Sequence, residues 1–289
     1  MNTLTIQAYR ANPAQSSSAS RVSPETAMES VLLLHCSGSS GAQWRSLAAR
    51  LGARYQVIAP DLIGYGGSAP WSGRGKFCLA QEAGVLRSIL GLLGEPVHLV
   101  GHSYGGAVAL HLARTRPELF RSLTLIEPSA FHLLRGGDAI DVAALSEITA
   151  VAAQAEAALA GGDQADAFGR FVDYWSGPGT WSAMPADKRQ TFTPQLAKVV
   201  LDFQAILGDP AEVEDVRDIA LPTLLVQGGC TKLPSRCVCR RLRDALPAAR
   251  FSAVRGAGHM LPVTHRDEVN ALIASHIHAN ASEQQRRAA

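Results

Sequence analysis

The feature that most constrains this 289-residue chain is a regular alternation of strand-length apolar runs with helix-period segments, broken once. Residues 31–35 form a continuous apolar run that ends in a Gly/Ser cluster, the pattern of a strand buried on both faces. Trp44, Leu47 and Leu51 follow at helical spacing. Residues 55–59 read as the next strand, stopping at Pro60, and 77–93 as a helix. A strand at 97–102 leads into a helix from about 104 to 116, which Pro117 ends. Another strand covers 122–127. Leu4 and Ile6 alternate as an opening strand does, whereas 11–29, rich in Ser, Ala and Pro, reads as loop.

The alternation then stops. Residues 128–218 carry almost no strand signal. Val142, Leu145, Ile148, Val151 and Leu159 mark one amphipathic helix, and Leu196, Val199, Val200, Phe203 and Ile206 mark a second. Trp175 and Trp181 lie between them among Gly and Pro. The alternation resumes with a strand at 221–227, a helix at 235–246, a strand at 250–254 and a closing helix near 267–278. The polar tail from residue 281 reads as frayed.

Such a pattern predicts an α/β fold: a mostly parallel sheet with helices on both faces and one helical insertion. The expected division is a core of 1–127 and 219–289 with a helical cap at 128–218. In open sheets of this kind, sites lie outside the carboxyl ends of the strands. The residues just after each strand are therefore the ones to inspect.

Bulk properties narrow the function further. A net charge of +2 gives no electrostatic case for nucleic acid or a membrane surface. The longest apolar runs are strand-length, so no membrane span is expected. The start, MNTLTIQAYR, lacks the layout of a secretion signal. Five cysteines, an odd number in a chain long enough to bury a core, read as reduced thiols in a cytoplasmic protein. Cys230, Cys237 and Cys239 lack paired metal-ligand spacing. A small-molecule substrate and a monomer or homodimer are expected, with no nucleic-acid partner.

Gly101-His102-Ser103-Tyr104-Gly105-Gly106 falls between a strand and a helix and fits G-x-S-x-G. A strand that turns sharply into a helix brings backbones close enough that side chains at the glycine positions would clash. The serine is held in a strained turn with its hydroxyl exposed, beside the free N–H groups of the helix N-terminus. Neither Gly38-Ser39-Ser40-Gly41 nor Gly64-Tyr65-Gly66-Gly67 completes a phosphate loop or a dinucleotide fingerprint, which argues against nucleotide binding.

With these segments in hand, the chain resembles the α/β-hydrolase superfamily over nearly its whole length. Leu33-Leu34-His35-Cys36-Ser37-Gly38 resembles the oxyanion loop HGxG, with Cys36 at the second position instead of glycine. Residues 59–68 (Ala-Pro-Asp-Leu-Ile-Gly-Tyr-Gly-Gly-Ser) resemble the D-x-x-G-x-G-x-S turn. Gly101 to Gly106 match the nucleophile elbow, and Ala257-Gly258-His259-Met260 match the late histidine loop. All four occur in the family's order. The resemblance implies a serine hydrolase with Ser103 as nucleophile and His259 as general base. The backbone N–H groups of Ser37 and Tyr104 would form the oxyanion hole, with no metal or organic cofactor.

Besides Cys36, a second and larger departure from the family concerns the acid. The family's usual aspartate after the penultimate strand is replaced by Gly228-Gly229-Cys230-Thr231-Lys232, with Thr231 at the aligned position. A triad without an acid leaves its imidazole poorly oriented and its developing charge uncompensated. Glu127, at the end of the strand after the nucleophile helix, is the expected replacement. This is similar to the arrangement in haloalkane dehalogenases and some lipases. A carboxylate ending the apolar run 123–126 also needs a partner. Asp202, Asp209, Asp215 and Asp218 all precede the strand at 221–227, at the wrong end for the site.

Of the remaining histidines, His35 is expected to brace the oxyanion loop and His102 to point away from substrate. His132, Phe131, Trp175 and Trp181 are expected at a pocket, together with Leu133, Leu134 and Phe171, for a small apolar acyl or alcohol group. The leading reading is cleavage of a small carboxylic ester or lactone. A carbon–carbon bond hydrolase, a cofactor-free perhydrolase or haloperoxidase, and a ligand-binding receptor on the same fold are the alternatives.

Overall fold

A computed structural model describes residues 4–9, 28–246 and 248–282. Most of the expected loop at 11–29 and of the tail expected to fray from residue 281 lies outside these residues. Seven strands form one sheet: β1 (Ile6–Tyr9), β2 (Ser30–Leu34), β3 (Gln56–Pro60), β4 (Val97–His102), β5 (Phe120–Ile126), β6 (Thr223–Gly228) and β7 (Arg250–Val254). Their spatial order is β1-β3-β2-β4-β5-β6-β7. Only β1 is antiparallel to its neighbour; the other six run parallel.

The parallel strands are apolar on both faces because both faces are covered. In β2, Leu32 and Leu34 point into one core, shared with helices α2 (Leu79–Leu93) and α3 (Tyr104–Thr115). Val31 and Leu33, one residue out of phase, point into the other. That second core is closed by α1 (Arg45–Leu51) and the C-terminal helix Arg266–Ala279. Expected and observed element boundaries in this sheet differ by one or two residues, as helix and strand ends commonly do.

After the edge strand β1 the chain enters the sheet interior at β2, moves outward to β3, then crosses to β4 on the other side of β2. This switch point sets the loop after β2 beside the loop after β4 at the carboxyl end, where open sheets place their sites.

Residues 128–218 contain no strand. They hold five α-helices rather than the two expected: α4 (Ala139–Gly161), α5 (Gln164–Ser176), α6 (Thr180–Ala183), α7 (Ala186–Phe192) and α8 (Leu196–Gly208). Asp138 caps α4 by accepting the N–H groups of Ile140 and Asp141 at 3.0 and 2.9 Å. Gly162, in the left-handed region at φ 82°, ends it. The shorter helices escaped the periodicity reading because their aromatic residues pack on each other. Phe168 has the rings of Phe171, Trp181 and Phe192 within 5.5–6.2 Å.

The expectation that nothing in the chain has the length and apolarity of a membrane span needs correction. By length and composition alone, α4 does. Its apolar residues, alanines with Ile140, Val142, Leu145, Ile148, Val151 and Leu159, are interrupted by Asp141, Glu147, Gln154 and Glu156 and so form no unbroken run. In the fold it packs on α5, α8 and the helix α9 (Leu233–Ala245). Its buried Asp141 accepts a hydrogen bond from Arg240 at 2.7 Å.

Candidate active site

Ser103 stands between β4 and α3 at φ 55°, ψ −117°, a conformation that L-residues avoid and that stores strain. Two glycines make the turn possible. A Cβ on Gly101 would lie 2.3 Å from the Gly105 carbonyl oxygen, and one on Gly105 would lie 2.5 Å from the carbonyls of Leu34 and His35. The elbow is thus packed directly against the end of β2. The Tyr104 N–H opens α3, in the turn whose N–H groups have no intrahelical acceptor.

Ser103 Oγ lies 2.9 Å from His259 Nε2. His259 Nδ1 donates to Glu127 Oε2 at 2.7 Å. Glu127 is fully buried and surrounded by donors. Its Oε1 accepts the Gly228 N–H at 2.7 Å and its Oε2 the Thr231 hydroxyl at 2.6 Å. An acceptor set of this kind matches a carboxylate and puts the imidazole proton on Nδ1, leaving Nε2 as an acceptor toward Ser103. Glu127 is, with Ser103, one of two non-glycine residues at positive φ among those described. Both end adjacent strands, and both backbones are bent to aim a side chain at His259. Thr231, at the position where the family usually has an aspartate, donates a hydrogen bond to Glu127.

A second set of contacts ties the histidine loop to the oxyanion loop. The Cys36 N–H donates to Gln43 Oε1 at 3.2 Å. Gln43 Nε2 donates to His102 Nδ1 at 3.1 Å, and His102 Nε2 donates to the His259 carbonyl at 2.9 Å. Burial, then repulsion from His259, holds the His102 pKa well below its ordinary value, so the ring stays neutral and keeps this pattern. His35 braces the loop as expected: Nδ1 donates to the Cys36 carbonyl at 2.7 Å and Nε2 accepts the Leu62 N–H at 2.9 Å. Burial lowers its pKa to about 4. Cys36 takes the glycine position without strain of the left-handed kind, and burial pushes its thiol up to about 12, which silences it as a nucleophile. All five cysteines are free.

Ser103 and His259 open into a cavity of about 790 Å³, walled by the strand-end loops on one side and by α5, α7 and α8 on the other. Phe131, Phe171 and Trp175 line it. The Trp175 ring lies 4.1 Å, centroid to centroid, from His259.

Two expected pocket residues stand elsewhere. His132 is buried and turned away, donating through Nδ1 to the Ile206 carbonyl at 3.0 Å in a small separate crevice. Trp181 packs behind Phe168, so close over Gly169 that a Cβ there would meet its indole at 2.4 Å. Leu133 and Leu134 are spent in the core.

Asp202 is a further correction. Its place before β6 in sequence suggested the wrong end of the sheet, but α8 carries it back over the strand ends. There it lines the cavity and accepts the Ser37 hydroxyl at 2.6 Å. Ser129, which sequence reading passed over, sits with Oγ 3.1 Å from Ser103 Oγ. Its signal was adjacency to Glu127 on a strand-end loop.

A sheet with six parallel strands, a serine elbow at its switch point and a histidine after the last strand defines the α/β-hydrolase class. A sequence profile described as the Alpha/beta hydrolase family matches residues 31–272, and this chain belongs to that family. It is 30% identical over 250 residues to the pimeloyl-(acyl-carrier protein) methyl ester esterase of Aeromonas hydrophila, covering 81% of this chain and 90% of that protein. It is 39% identical over 103 residues to Lipase LipV of Mycobacterium tuberculosis, covering 34% of this chain and 37% of that protein. The chain spans only 28–37% of the length of four curated relatives, LipV among them. A thermophilic esterase from Thermogutta terrifontis shares the fold, with a TM-score of 0.67 at 20% identity over 97% of this chain and 95% of that one.

Proposed function

We propose that this protein is a serine hydrolase that cleaves a small carboxylic ester or lactone through an acyl-enzyme on Ser103. The observation that carries the reading is the unbroken chain Ser103 Oγ–His259 Nε2, His259 Nδ1–Glu127 at 2.9 and 2.7 Å, opening into the cavity.

His259 Nε2 takes the Ser103 proton as Oγ attacks the acyl carbon. The carbonyl oxygen gains the charge and is held by the N–H groups of Ser37 and Tyr104. One such donor is typically worth about 3 kcal/mol of transition-state stabilisation. The imidazolium faces Glu127, which offsets its charge, and then hands the proton to the departing alcohol oxygen. Water, deprotonated by the same Nε2, attacks the acyl-enzyme. The acid leaves and Ser103 recovers its proton. Helices α5, α7 and α8 act as a cap that shields the reacting centre, and the aromatic walls favour an apolar acyl or alcohol group. The esterase named above, 30% identical over most of its length, supports an ester as substrate.

Hydrolysis of p-nitrophenyl butyrate by the wild type and by Ser103→Ala, side by side, tests this. Turnover by the wild type and background release by the variant are expected. Equal release by both, or silence from both, contradicts the proposal.

A further inference from the structure

Beneath the oxyanion loop lies a buried charged network that the proposed chemistry does not use directly. Lys198 and Asp202, four residues apart on one face of α8, meet Glu82 of α2, Tyr65 and Tyr104. All five are at most 5% exposed. The Lys198 ammonium donates to Asp202 Oδ1 and, at 3.4 Å, to Glu82 Oε2. It also sits 4.5–5.0 Å from the ring centres of Tyr104, Phe77 and Tyr65. Tyr104 donates its hydroxyl to Glu82 Oε2 at 2.9 Å. Asp202 Oδ2 accepts the hydroxyls of Ser37 and Tyr65, each at 2.6 Å. Burial pushes both carboxyl pKa values up, with the ammonium opposing it.

Two carboxylates and an ammonium are costly to bury, and apolar residues of similar size would often serve stability as well. The network's endpoints suggest why it is placed here. One branch ends on Ser37 through Asp202 and the other on Tyr104 through Glu82. These are the two residues whose N–H groups are assigned above to the oxyanion. Both are therefore anchored by their side chains to a single ammonium on α8. A hydrogen-bonded network in a low-dielectric interior is stiff, and oxyanion donors act only if held at the right spacing before the charge develops.

We propose that Lys198 and Asp202 are positioning residues that set the separation of the Ser37 and Tyr104 N–H groups, so that docking of α8 completes the oxyanion hole. This rests on the serine-hydrolase reading above.

The test is a double-mutant cycle on p-nitrophenyl butyrate with Ser37→Ala, Asp202→Asn and the pair, run beside the wild type and Ser103→Ala. Ser37→Ala keeps the N–H but cuts its tether. Each single variant should lower kcat about tenfold with KM within about twofold. The double should be no slower than the slower single, because both cut one chain of contacts. Affinity for an alkylboronic acid, which presents a tetrahedral oxyanion, should fall in step with kcat.

Unchanged kcat and boronate affinity in the singles, or losses that multiply in the double, overturn the proposal while leaving the hydrolase reading intact. A Ser103→Ala variant as active as the wild type removes both. If Asp202→Asn does not fold, Ser37→Ala alone decides: a kcat and boronate affinity equal to the wild type overturn the proposal, and a fall of both together supports it.

Discussion

The strand-end loops and the helical insertion face each other across one cavity, but they reach it by different rules. On the sheet side, position follows from backbone. Ser103 and Glu127 end neighbouring strands, and both carry positive φ. Their partner His259 follows the last strand, and hydrogen-bonded pairing of β4, β5, β6 and β7 sets the distances. On the insertion side, position follows from side-chain packing. Phe168, Phe171, Trp175 and Asp202 reach the cavity because of how α5 and α8 roll against their neighbours, while Trp181 and His132, no less apolar or polar, are turned away. Ser103, His259 and Glu127 thus sit on the sheet side and the groups that shape the volume on the insertion side.

The largest expected effect is on the sheet side. Glu127→Gln keeps shape but can donate where three groups already donate, and it removes the charge opposite the imidazolium. It should lower kcat by roughly 10³- to 10⁴-fold with the fold intact by circular dichroism. Near-normal turnover would break the assignment of the acid to β5. The Thr231 hydroxyl is 2.6 Å from the Glu127 carboxylate. A Thr231→Asp change in a Glu127→Ala background should therefore recover at least about tenfold of the loss. No recovery would mean that the position after β6 cannot hold the acid in this chain.

A smaller effect is expected across the cavity. Trp175 covers one face of the His259 ring, so Trp175→Ala lets water reach the imidazole and removes apolar wall. A drop of about tenfold in kcat/KM for butyrate esters is expected, with a milder drop for longer acyl chains that refill the space. A uniform loss across chain lengths would assign Trp175 to packing alone.

The smallest effect separates the halves by acid stability. Burial holds His35 and His98, both beside or within the sheet, at pKa values of about 4, below the ordinary 6.5. Between those values the unfolded chain binds more protons than the folded one, so stability falls as pH drops from about 7 toward 4. In the insertion, burial raises the pKa of Asp209, but hydrogen bonds from His111 and the Ala211 N–H outweigh it and hold the carboxyl at about 2. Its contribution is present above the ordinary 3.8 and is lost only as pH falls toward 2. Melting temperature should decline steadily from about pH 7 to pH 5. A flat or rising profile would contradict the neutral, buried state of these histidines.

How much the sequence disclosed follows the same division. Strand positions were legible to within a few residues because buried parallel strands are continuous apolar runs, and Gly101 and Gly105 announced the elbow because only glycine fits there. Glu127 was legible as a charge stranded at the end of such a run. The insertion was not legible in this way. Its three short helices carry aromatic clusters without a sustained period, and the apolar residues of α4 are broken up by Asp141, Glu147, Gln154 and Glu156. Asp202 was discarded on sequence order, which says where a strand end lies but not where a long helix folds back. The Lys198 network pairs residues from α2, α3 and α8 that nothing local connects.

The central claim is that Ser103 is the nucleophile, activated by His259. Titration with diethyl p-nitrophenyl phosphate, followed by peptide mass spectrometry, tests it most directly. Release of one nitrophenolate per chain is predicted, with the diethylphosphoryl group on the peptide that contains Ser103 and no burst from His259→Gln. No release by the wild type, or a label on any other residue, would contradict it.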